Sequence, residues 1–259
     1  MTIHVNKDWW QDLFDDVYLQ TDARSVCDAE LTAREVDFLE KVLELQPSTS
    51  ILDLCGGQGR HSLELCRRGF QNVTVLDYSQ YLIDLGTATA QQEGLKTKFL
   101  QGDARHTGLP AQSVEVIIVM ASSFGYCADE HENQQILDEA FRLLKPQGTL
   151  LLDLPDREYI LQHFKSFSQH QINDDLNVTR HRELREDLIA CREIVTSQKH
   201  GCIRDGTYCI RLYSPETISA MLRAAGFAAI RFVKDFMRRD ADGDYGTMTN
   251  RMVVTAEKG

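Results

Sequence analysis

Short apolar runs recur through the first 156 residues, and each is followed by a polar turn and then by a segment with helical spacing. These runs predict buried strands at 51–54, 73–77, 99–101, 114–120 and 149–154. Strands that alternate with helices are typical of an α/β fold with a mostly parallel sheet. One of the helices is expected at 137–144, because Lys145, Pro146 and Gly148 follow it as stop signals.

The pattern changes after residue 156. Segments 178–184 and 188–195 alternate β-branched and charged residues, and Asp205-Gly206 predicts a hairpin turn. An antiparallel insertion over 157–213 is therefore expected, with a core formed by 1–156 and 214–259. In that last segment Ser214 and Pro215 start a helix that ends at Gly226, and strands at 228–233 and 251–256 form a closing hairpin with an antiparallel edge strand.

The N-terminal 48 residues predict helices that cover the core. Six apolar residues of the first segment have helical spacing on one face: Trp9, Trp10, Leu13, Phe14, Val17 and Tyr18. This helix either packs on the core or covers a ligand, in which case Tyr18 lines the site. A second helix is expected to begin at a capping box, Thr32 to Glu35.

The stretch 51–61 combines a strand, a glycine-rich turn and the start of a helix. Glycines let a ligand approach backbone N–H groups that a Cβ would shield. The dinucleotide fingerprint is similar, but Ser62 stands where its third glycine or alanine would be. Asp53 before the turn would repel a pyrophosphate and suits a ligand with an amino group and no phosphate. S-adenosylmethionine is such a ligand.

Two further acids follow later strands. Asp77 ends the second strand, where a carboxylate can accept hydrogen bonds from the hydroxyls of a ribose. Asp103 follows the third strand and could accept a hydrogen bond from the amino group of an adenine. The fourth strand, 114–120, is followed by 121–126. Three acids at three successive strand ends favour a nucleoside-type cofactor.

With these motifs the chain resembles the class I S-adenosylmethionine-dependent methyltransferases from about Glu35 to its C-terminus. It is most similar to small-molecule members of the glycine N-methyltransferase and amino-sugar N-methyltransferase type, through the loop 57–62, the Ser-Phe-Gly-Tyr segment 123–126 and the acid-rich stretch 153–159. The resemblance implies a Rossmann-like three-layer sandwich with a mostly parallel seven-stranded sheet, an antiparallel last strand and an inserted antiparallel lid. Cys55 stands where many relatives have glycine or alanine.

The resemblance also implies roles for individual residues. Those expected to bind S-adenosylmethionine are Asp53, Cys55, Gly57, Gly59, Asp77, Tyr78, Asp103, Ala104, Met120 and Ala121. The candidate catalytic residues are Tyr126 and His61, of which His61 has an alternative structural role. The candidate substrate residues are Tyr18, Ser123, Tyr126, Asp156, Arg211 and Tyr213. Asp156 has the alternative of a loop cap, and Arg211 that of pairing with a surface acid.

The charge and composition of the chain limit the classes of partner that it is expected to bind. Acids outnumber bases by 39 to 28, giving a net charge of −11, whereas nucleic-acid binders usually present a basic surface. A small-molecule acceptor is expected, most of all an amine nitrogen methylated by in-line displacement. The seven cysteines are scattered, which favours reduced thiols in a cytoplasm and no metal site. No signal peptide or membrane-spanning run is expected, and the insertion could form a homodimer interface.

Three other functions remain open from the sequence. An RNA (tRNA) methyltransferase would share the fold but present a basic surface beside the pocket. A nucleotide-cofactor oxidoreductase would also use Asp77, although Asp53 and Ser62 disfavour it. A non-catalytic module that only binds S-adenosylmethionine would have a blocked acceptor pocket.

Overall fold

The computed structural model describes residues 2–234, 236 and 249–259; residues 235 and 237–248 of the predicted core segment 214–259 lie outside this description. The helices are α1 (Trp10–Leu13), α2 (Asp16–Thr21), α3 (Ala23–Val26), α4 (Ala29–Val42), α5 (Arg60–Arg67), α6 (Gln80–Glu93), α7 (Glu130–Leu143), α8 (Arg157–Gln162) and α9 (Pro215–Ala225). The strands are β1 (Ser50–Leu54), β2 (Asn72–Asp77), β3 (Lys98–Gln101), β4 (Val114–Val119), β5 (Leu144–Pro155), β6 (Phe167–Gln171), β7 (Leu176–Arg185), β8 (Leu188–Ser197), β9 (Gly201–Arg211), β10 (Phe227–Val233) and β11 (Arg251–Lys258). Within these ranges, no helix is long and apolar enough to cross a membrane.

A seven-stranded sheet carries the core, in the order β10-β11-β5-β4-β1-β2-β3. The neighbouring strands from β5 to β3 pair in parallel, and β11 pairs antiparallel with both β5 and β10. This confirms the expected fold class, including the antiparallel last strand. The expectation of an antiparallel strand at the edge was wrong, because β11 inserts between β5 and β10 and leaves β10 at the edge.

The two faces of the sheet are covered by different helices. On β1, Ile51 packs in one cluster with Val36 of α4 and Leu65 of α5. Its neighbour Leu52 lies in the opposite cluster, with Leu137 of α7. Successive strand residues point to opposite faces, so this alternation produces the three layers. Each fully buried leucine of this kind stabilises the fold by about 1.5–3 kcal/mol.

A second sheet, in the order β6-β7-β8-β9, is antiparallel throughout. Strands were expected in this region, but the turn predicted at Asp205-Gly206 was wrong. Both residues lie inside β9, opposite Ile194 and Glu193 of β8. The β8–β9 connection instead spans 198–200 and is followed by Gly201 with φ +74°. In its strand position the Asp205 carboxylate forms a two-bonded ion pair with Arg192 on β8.

Two predicted helix starts and one predicted single helix were also wrong. Helix α4 begins at Ala29, capped by Asp28, whose side chain accepts a hydrogen bond from the Leu31 amide. The single N-terminal helix is divided into α1 and α2, because Asp15 caps a new helix start. Helix α7 begins seven residues before Leu137, behind the cap of Asp129. Helix α9 is confirmed, with its predicted cap and end.

We predict that two glycines at helix ends tolerate alanine very differently. Gly226 has φ +105°, and a Cβ there would lie 2.8 Å from the Phe141 ring. Gly94 has φ +68° with nothing within 4 Å. Gly94→Ala should reduce the free energy of unfolding by about 1 kcal/mol through left-handed strain alone. Gly226→Ala should cost about 3 kcal/mol, because overpacking adds to that strain. Urea titrations followed by circular dichroism would measure both, and equal losses would contradict the packing account.

Candidate active site

The glycine loop after β1 is built over a buried carboxylate. Asp53 is fully buried, and its Oδ2 accepts a hydrogen bond of 2.8 Å from the Ser62 hydroxyl. Its Oδ1 has no hydrogen-bond partner within the described part of the chain. A Cβ at Gly56 would lie 2.7 Å from the Asp53 Cγ, so the loop can cross this side chain only as glycine.

Asp77, at the end of β2, holds the same loop in place by hydrogen bonds. One carboxylate oxygen accepts a hydrogen bond of 2.7 Å from the Gly57 amide, and the other accepts one of 2.9 Å from Ser79. Gly57 has φ +58°, which turns its amide towards the acid. A carboxylate oxygen has two acceptor positions, so Asp77 keeps capacity for further donors. The ends of β1 and β2 thus form one cradle of acids and backbone amides.

Burial changes the protonation of these acids. It raises the pKa of Asp53 to about 7, against the opposing effects of the Ser62 hydrogen bond and the Arg60 charge. It also raises the pKa of Asp77 above its usual value, although three backbone amides oppose this shift. A buried carboxyl with a high pKa and one unsatisfied oxygen binds a positively charged group favourably, because that charge restores the ionised form.

A first cavity opens above the cradle and has about 1020 Å³ of free space, including its mouth to solvent. Thirteen of the predicted site residues line it: Tyr18, Asp53, Cys55, Gly57, His61, Asp77, Tyr78, Asp103, Ala104, Met120, Ala121, Ser123 and Tyr126. They come from four strand ends and from α2 and α5. The parallel strands therefore bring residues from distant parts of the sequence to one edge of the sheet.

Four other predicted site residues lie elsewhere. Gly59 packs beneath the loop, where a Cβ would lie 2.7 Å from Phe99. Asp156 caps α8 and accepts a hydrogen bond from Asn250, as its alternative role predicted. Arg211 donates to the Ala128 carbonyl rather than to a surface acid. Tyr213 is 1% exposed and packs against Phe124 in the core.

Asp103 lies at the cavity, and Arg105 occupies most but not all of its acceptor positions. Arg105 donates to both of its carboxylate oxygens, and the same guanidinium binds Glu132. The Arg105 guanidinium also lies 4.9 Å from the centre of the Trp10 ring. Trp10 and Arg105 therefore close the end of the cavity that Asp103 borders.

His61 belongs to a buried ionic cluster. Its Nε2 lies 2.9 Å from Glu35, which also binds Arg60 and Arg251. Arg251 in turn donates to Asp153, whose carboxylate accepts from the Ala121 amide. Burial and the Arg60 charge lower the pKa of His61 to about 4, despite the opposing effect of Glu35. His61 is therefore neutral near pH 7 and donates to Glu35, which matches its alternative structural role.

A second cavity adjoins the first. It lies between the inner face of the four-stranded sheet and residues 2–28, here called the N-terminal strap. Its lining includes Trp9, Phe14, Tyr18, Asp22, Val26, Ala121, Tyr126, Arg180, Arg182, Cys191, Glu193 and Tyr208. Both cavities share Phe14, Tyr18, Val26, Ala121 and Tyr126. The two cavities therefore adjoin at these shared residues.

Ion pairs fix the wall of the second cavity. Arg180 is 9% exposed and donates to Glu193 at 2.7 Å and to Asp22 of the strap at 3.0 Å. The sequence reasoning missed Arg180, Glu193 and Tyr208. Alternation along β7, β8 and β9 could have placed them on one face, but nothing local shows that this face encloses a cavity. Trp10 and Phe14 were noted only as apolar positions of a covering helix.

Comparisons with known proteins agree with this geometry. Residues 51–148 match the model of the Methyltransferase domain family. The chain is 26% identical over 243 residues to a glycine/sarcosine N-methyltransferase of Halorhodospira halochloris, which covers 92% of this chain and 84% of that protein. It is also 26% identical to a putative methyltransferase, YqeM, of Bacillus subtilis, over 80% of this chain and 83% of that protein.

Solved structures share the whole fold. An S-adenosylmethionine-dependent methyltransferase from Clostridium acetobutylicum superposes with a TM-score of 0.73 at 17% identity, over 94% of this chain and 96% of that one. CalS10 is an amino pentose methyltransferase from Micromonospora echinaspora, solved with S-adenosylmethionine bound. It superposes with a TM-score of 0.66 at 16% identity, over 96% of this chain and 99% of that one. Residues 51–148 thus match a methyltransferase domain, and the strand order around them is that of the class I S-adenosylmethionine-dependent methyltransferase fold.

Proposed function

We propose that the enzyme transfers a methyl group from S-adenosylmethionine to an amine nitrogen of a small-molecule acceptor, by in-line displacement. Support comes above all from the junction of the two cavities at Ala121 and Tyr126. A cofactor in the first cavity and an acceptor in the second would meet there. Relatives named glycine/sarcosine N-methyltransferase and a neighbour named sugar N-methyltransferase favour nitrogen as the methylated atom.

The residues of the first cavity fit the cofactor. The unsatisfied Oδ1 of Asp53 would bind the methionyl ammonium, directly or through a water. Asp77 keeps acceptor positions for two ribose hydroxyls. Asp103, held by Arg105, would accept a hydrogen bond from the adenine amino group at the end of the first cavity that Trp10 closes. S-adenosylmethionine supplies an electrophilic methyl group on a positively charged sulfur.

The chain's own contribution to catalysis is orientation. An in-line displacement needs the nitrogen lone pair aligned with the methyl carbon, and effective molarities of about 10⁵–10⁸ M are reached when such partners are held. Burial raises the pKa of Tyr126 above its usual value, so its hydroxyl stays protonated at neutral pH and can orient the acceptor. His61 is engaged with Glu35 and would act as a positioning residue for the cluster beneath the loop.

We expect Asp77→Asn to weaken S-adenosylhomocysteine binding about 10- to 100-fold, because a charge-assisted hydrogen bond contributes roughly 1.5–3 kcal/mol. Calorimetric titration would measure this. The matched control is Asp84→Asn, an exposed acid of the neighbouring helix α6, which should bind as the wild type does. Thermal unfolding of both variants would show that the fold is retained. Unchanged affinity in Asp77→Asn would contradict the ribose assignment.

Cofactor binding should be linked to a proton on Asp53. The free protein holds this carboxyl partly protonated near pH 7, and the methionyl ammonium would bind its ionised form. Affinity for S-adenosylhomocysteine should therefore fall as pH decreases from 7 to 5.5, by up to about tenfold per unit. Titrations in buffers of different ionisation enthalpy would detect the released proton. Asp53→Asn should bind weakly and without this pH dependence, and a flat wild-type profile would exclude the linkage.

The acceptor class is tested with matched pairs of substrates. Wild-type enzyme and S-adenosylmethionine are incubated with small amines, with the corresponding alcohols and with total tRNA, and products are identified by mass spectrometry. We expect methylated amines, and no reaction in a variant that cannot bind the cofactor. Methylation of tRNA would establish the RNA methyltransferase alternative instead. Methylated alcohols alone would show that oxygen, not nitrogen, is the target.

A further inference from the structure

Four charged side chains line the second cavity, and they are paired unevenly. They are Asp22, Arg180, Arg182 and Glu193, whose charges sum to zero. Arg180 donates to both carboxylates, at 2.7 Å to Glu193 and at 3.0 Å to Asp22. Arg182 forms no ion pair within the part of the chain that the structure describes. The wall therefore contains one guanidinium that no described carboxylate binds.

The edge of Arg182 that suits a carboxylate is available. Its Nη1 donates to the Ser168 hydroxyl at 3.0 Å and to the Lys165 carbonyl at 3.5 Å, whereas its Nε and Nη2 have no partner among the described residues. An arginine binds a carboxylate at two points through two such parallel N–H groups. In this chain Arg192 uses its Nε and Nη2 in this way to bind Asp205. Arg182 presents the same pair of donors to the cavity.

The other end of the cavity, at the junction, suits an amine. Burial raises the pKa of Tyr18 and of Tyr126 above the usual value, and the charge of nearby Asp22 raises both further. Ser122 is 2% exposed and lines the cavity, and its hydroxyl has no hydrogen-bond partner within the described part of the chain. A carboxylate and a hydroxyl oxygen both accept hydrogen bonds from an ammonium.

The sheet geometry separates Arg182 from the junction. Arg182 on β7 is aligned, through one residue of β8, with Tyr208 on β9. Neighbouring strands lie about 4.7–4.9 Å apart, so the backbone of Arg182 is roughly 10 Å from that of Tyr208. Strand β9 borders the junction, where the Cys209 thiol donates to the Tyr126 carbonyl. The Arg182 guanidinium extends the other way, because it bonds to Ser168 on β6.

The space between these two ends is large and mostly apolar. The second cavity has about 870 Å³ of free space, including its mouth, which is far more than an acceptor the size of glycine would fill. Trp9 and Tyr208 line it, with ring centres 5.7 Å apart, and Ile189 and Ile210 line it from the sheet. Such a wall favours a ligand with an aromatic or alkyl body.

We propose that Arg182 binds a carboxylate of the methyl acceptor, and that an aromatic or alkyl body separates this carboxylate from the amine nitrogen at the junction. This inference rests on the proposed function and specifies its acceptor. In glycine and other α-amino acids one carbon atom joins the nitrogen to the carboxylate, so these molecules are too short to bind Arg182 while they react. Arg182 is thus the residue that determines which amines are methylated.

The transfer itself does not change the carboxylate. The bound ammonium first loses a proton to solvent, which frees the nitrogen lone pair. This lone pair forms the N–C bond while the C–S bond of the cofactor breaks, and the C–S electron pair stays on sulfur. The positive charge passes from sulfur to nitrogen, so the product again carries one charge of each sign, as the substrate did when it bound.

Two probes that differ only at the acid group test the site. Para-aminomethylbenzoate and its neutral isostere para-aminomethylbenzamide are titrated calorimetrically into the enzyme saturated with S-adenosylhomocysteine. The benzoate should bind roughly 10- to 100-fold more tightly, because hydrogen bonds between two charged groups are stronger than those to a neutral amide. Glycine at the same ionic strength should bind at least about tenfold more weakly than the benzoate. Equal affinities for the benzoate and the benzamide, or for the benzoate and glycine, would overturn the proposal.

Variants assign the preference to Arg182. Arg182→Gln should bind both probes with the affinity that the wild type has for the benzamide, and Arg182→Lys should keep only part of the preference because it lacks the two-point edge. The matched control is Arg192→Gln, which removes an exposed arginine of β8 and should keep the wild-type ratio. The ratio of two ligands on one variant is unaffected by a general loss of stability. A wild-type ratio in Arg182→Gln would reject the assignment.

Activity measurements separate this inference from the proposed function. Enzyme that does not bind S-adenosylhomocysteine would defeat both. Enzyme that methylates the benzoate and the benzamide with equal kcat/KM, in the wild type and in Arg182→Gln alike, would defeat the carboxylate site alone. Enzyme that binds the benzoate through Arg182 but methylates no amine would defeat N-methylation and retain the carboxylate site. We expect a higher kcat/KM for the benzoate than for the benzamide or glycine, and loss of this difference in Arg182→Gln.

Discussion

The buried carboxylate of Glu35 is the interaction on which the site depends. It lies on α4, and its charge is balanced by Arg60 of α5 and by Arg251 of β11. Burial opposes ionisation, but the His61 hydrogen bond and the two arginines outweigh it and hold the pKa of this carboxyl below its usual value. Breaking such a buried pair by removing one partner typically costs about 3–5 kcal/mol. One residue thus fixes the glycine-loop helix to the opposite half of the sheet.

The same cluster extends to the junction of the cavities. Arg251 donates to Asp153 at 2.6 Å, and that carboxylate accepts from the Ala121 amide at 2.8 Å. Ala121 has φ +57° and Ser122 +58°, which are uncommon for residues with a side chain. The hydrogen bond from Asp153 helps to hold this backbone, and Ala121 borders both cavities. The boundary between the two cavities is therefore shaped by charges that are buried beneath it.

Sequence patterns predicted the elements whose position is determined by neighbouring residues. Apolar runs that end in acids predicted β1 and β2, whose ends border the first cavity, and the Ser214 and Gly226 signals predicted α9. The predictions were wrong where the role of a residue depends on a partner that is distant in the sequence. The motif from Thr32 to Glu35 reads as a capping box, but Glu35 is committed to Arg251, 216 positions away. Arg180 likewise looked like a charged strand residue, because its partners Asp22 and Glu193 come from other elements.

The N-terminal strap places consecutive residues in different cavities. Trp9 borders the second cavity and Trp10 the first, and the strap is tied to the core at Ser79 and to the second sheet at Arg180. A ligand in either cavity would contact this one segment, so the strap couples the two cavities mechanically. By thermodynamic linkage, any effect that binding in one cavity has on the other would be equal in both directions.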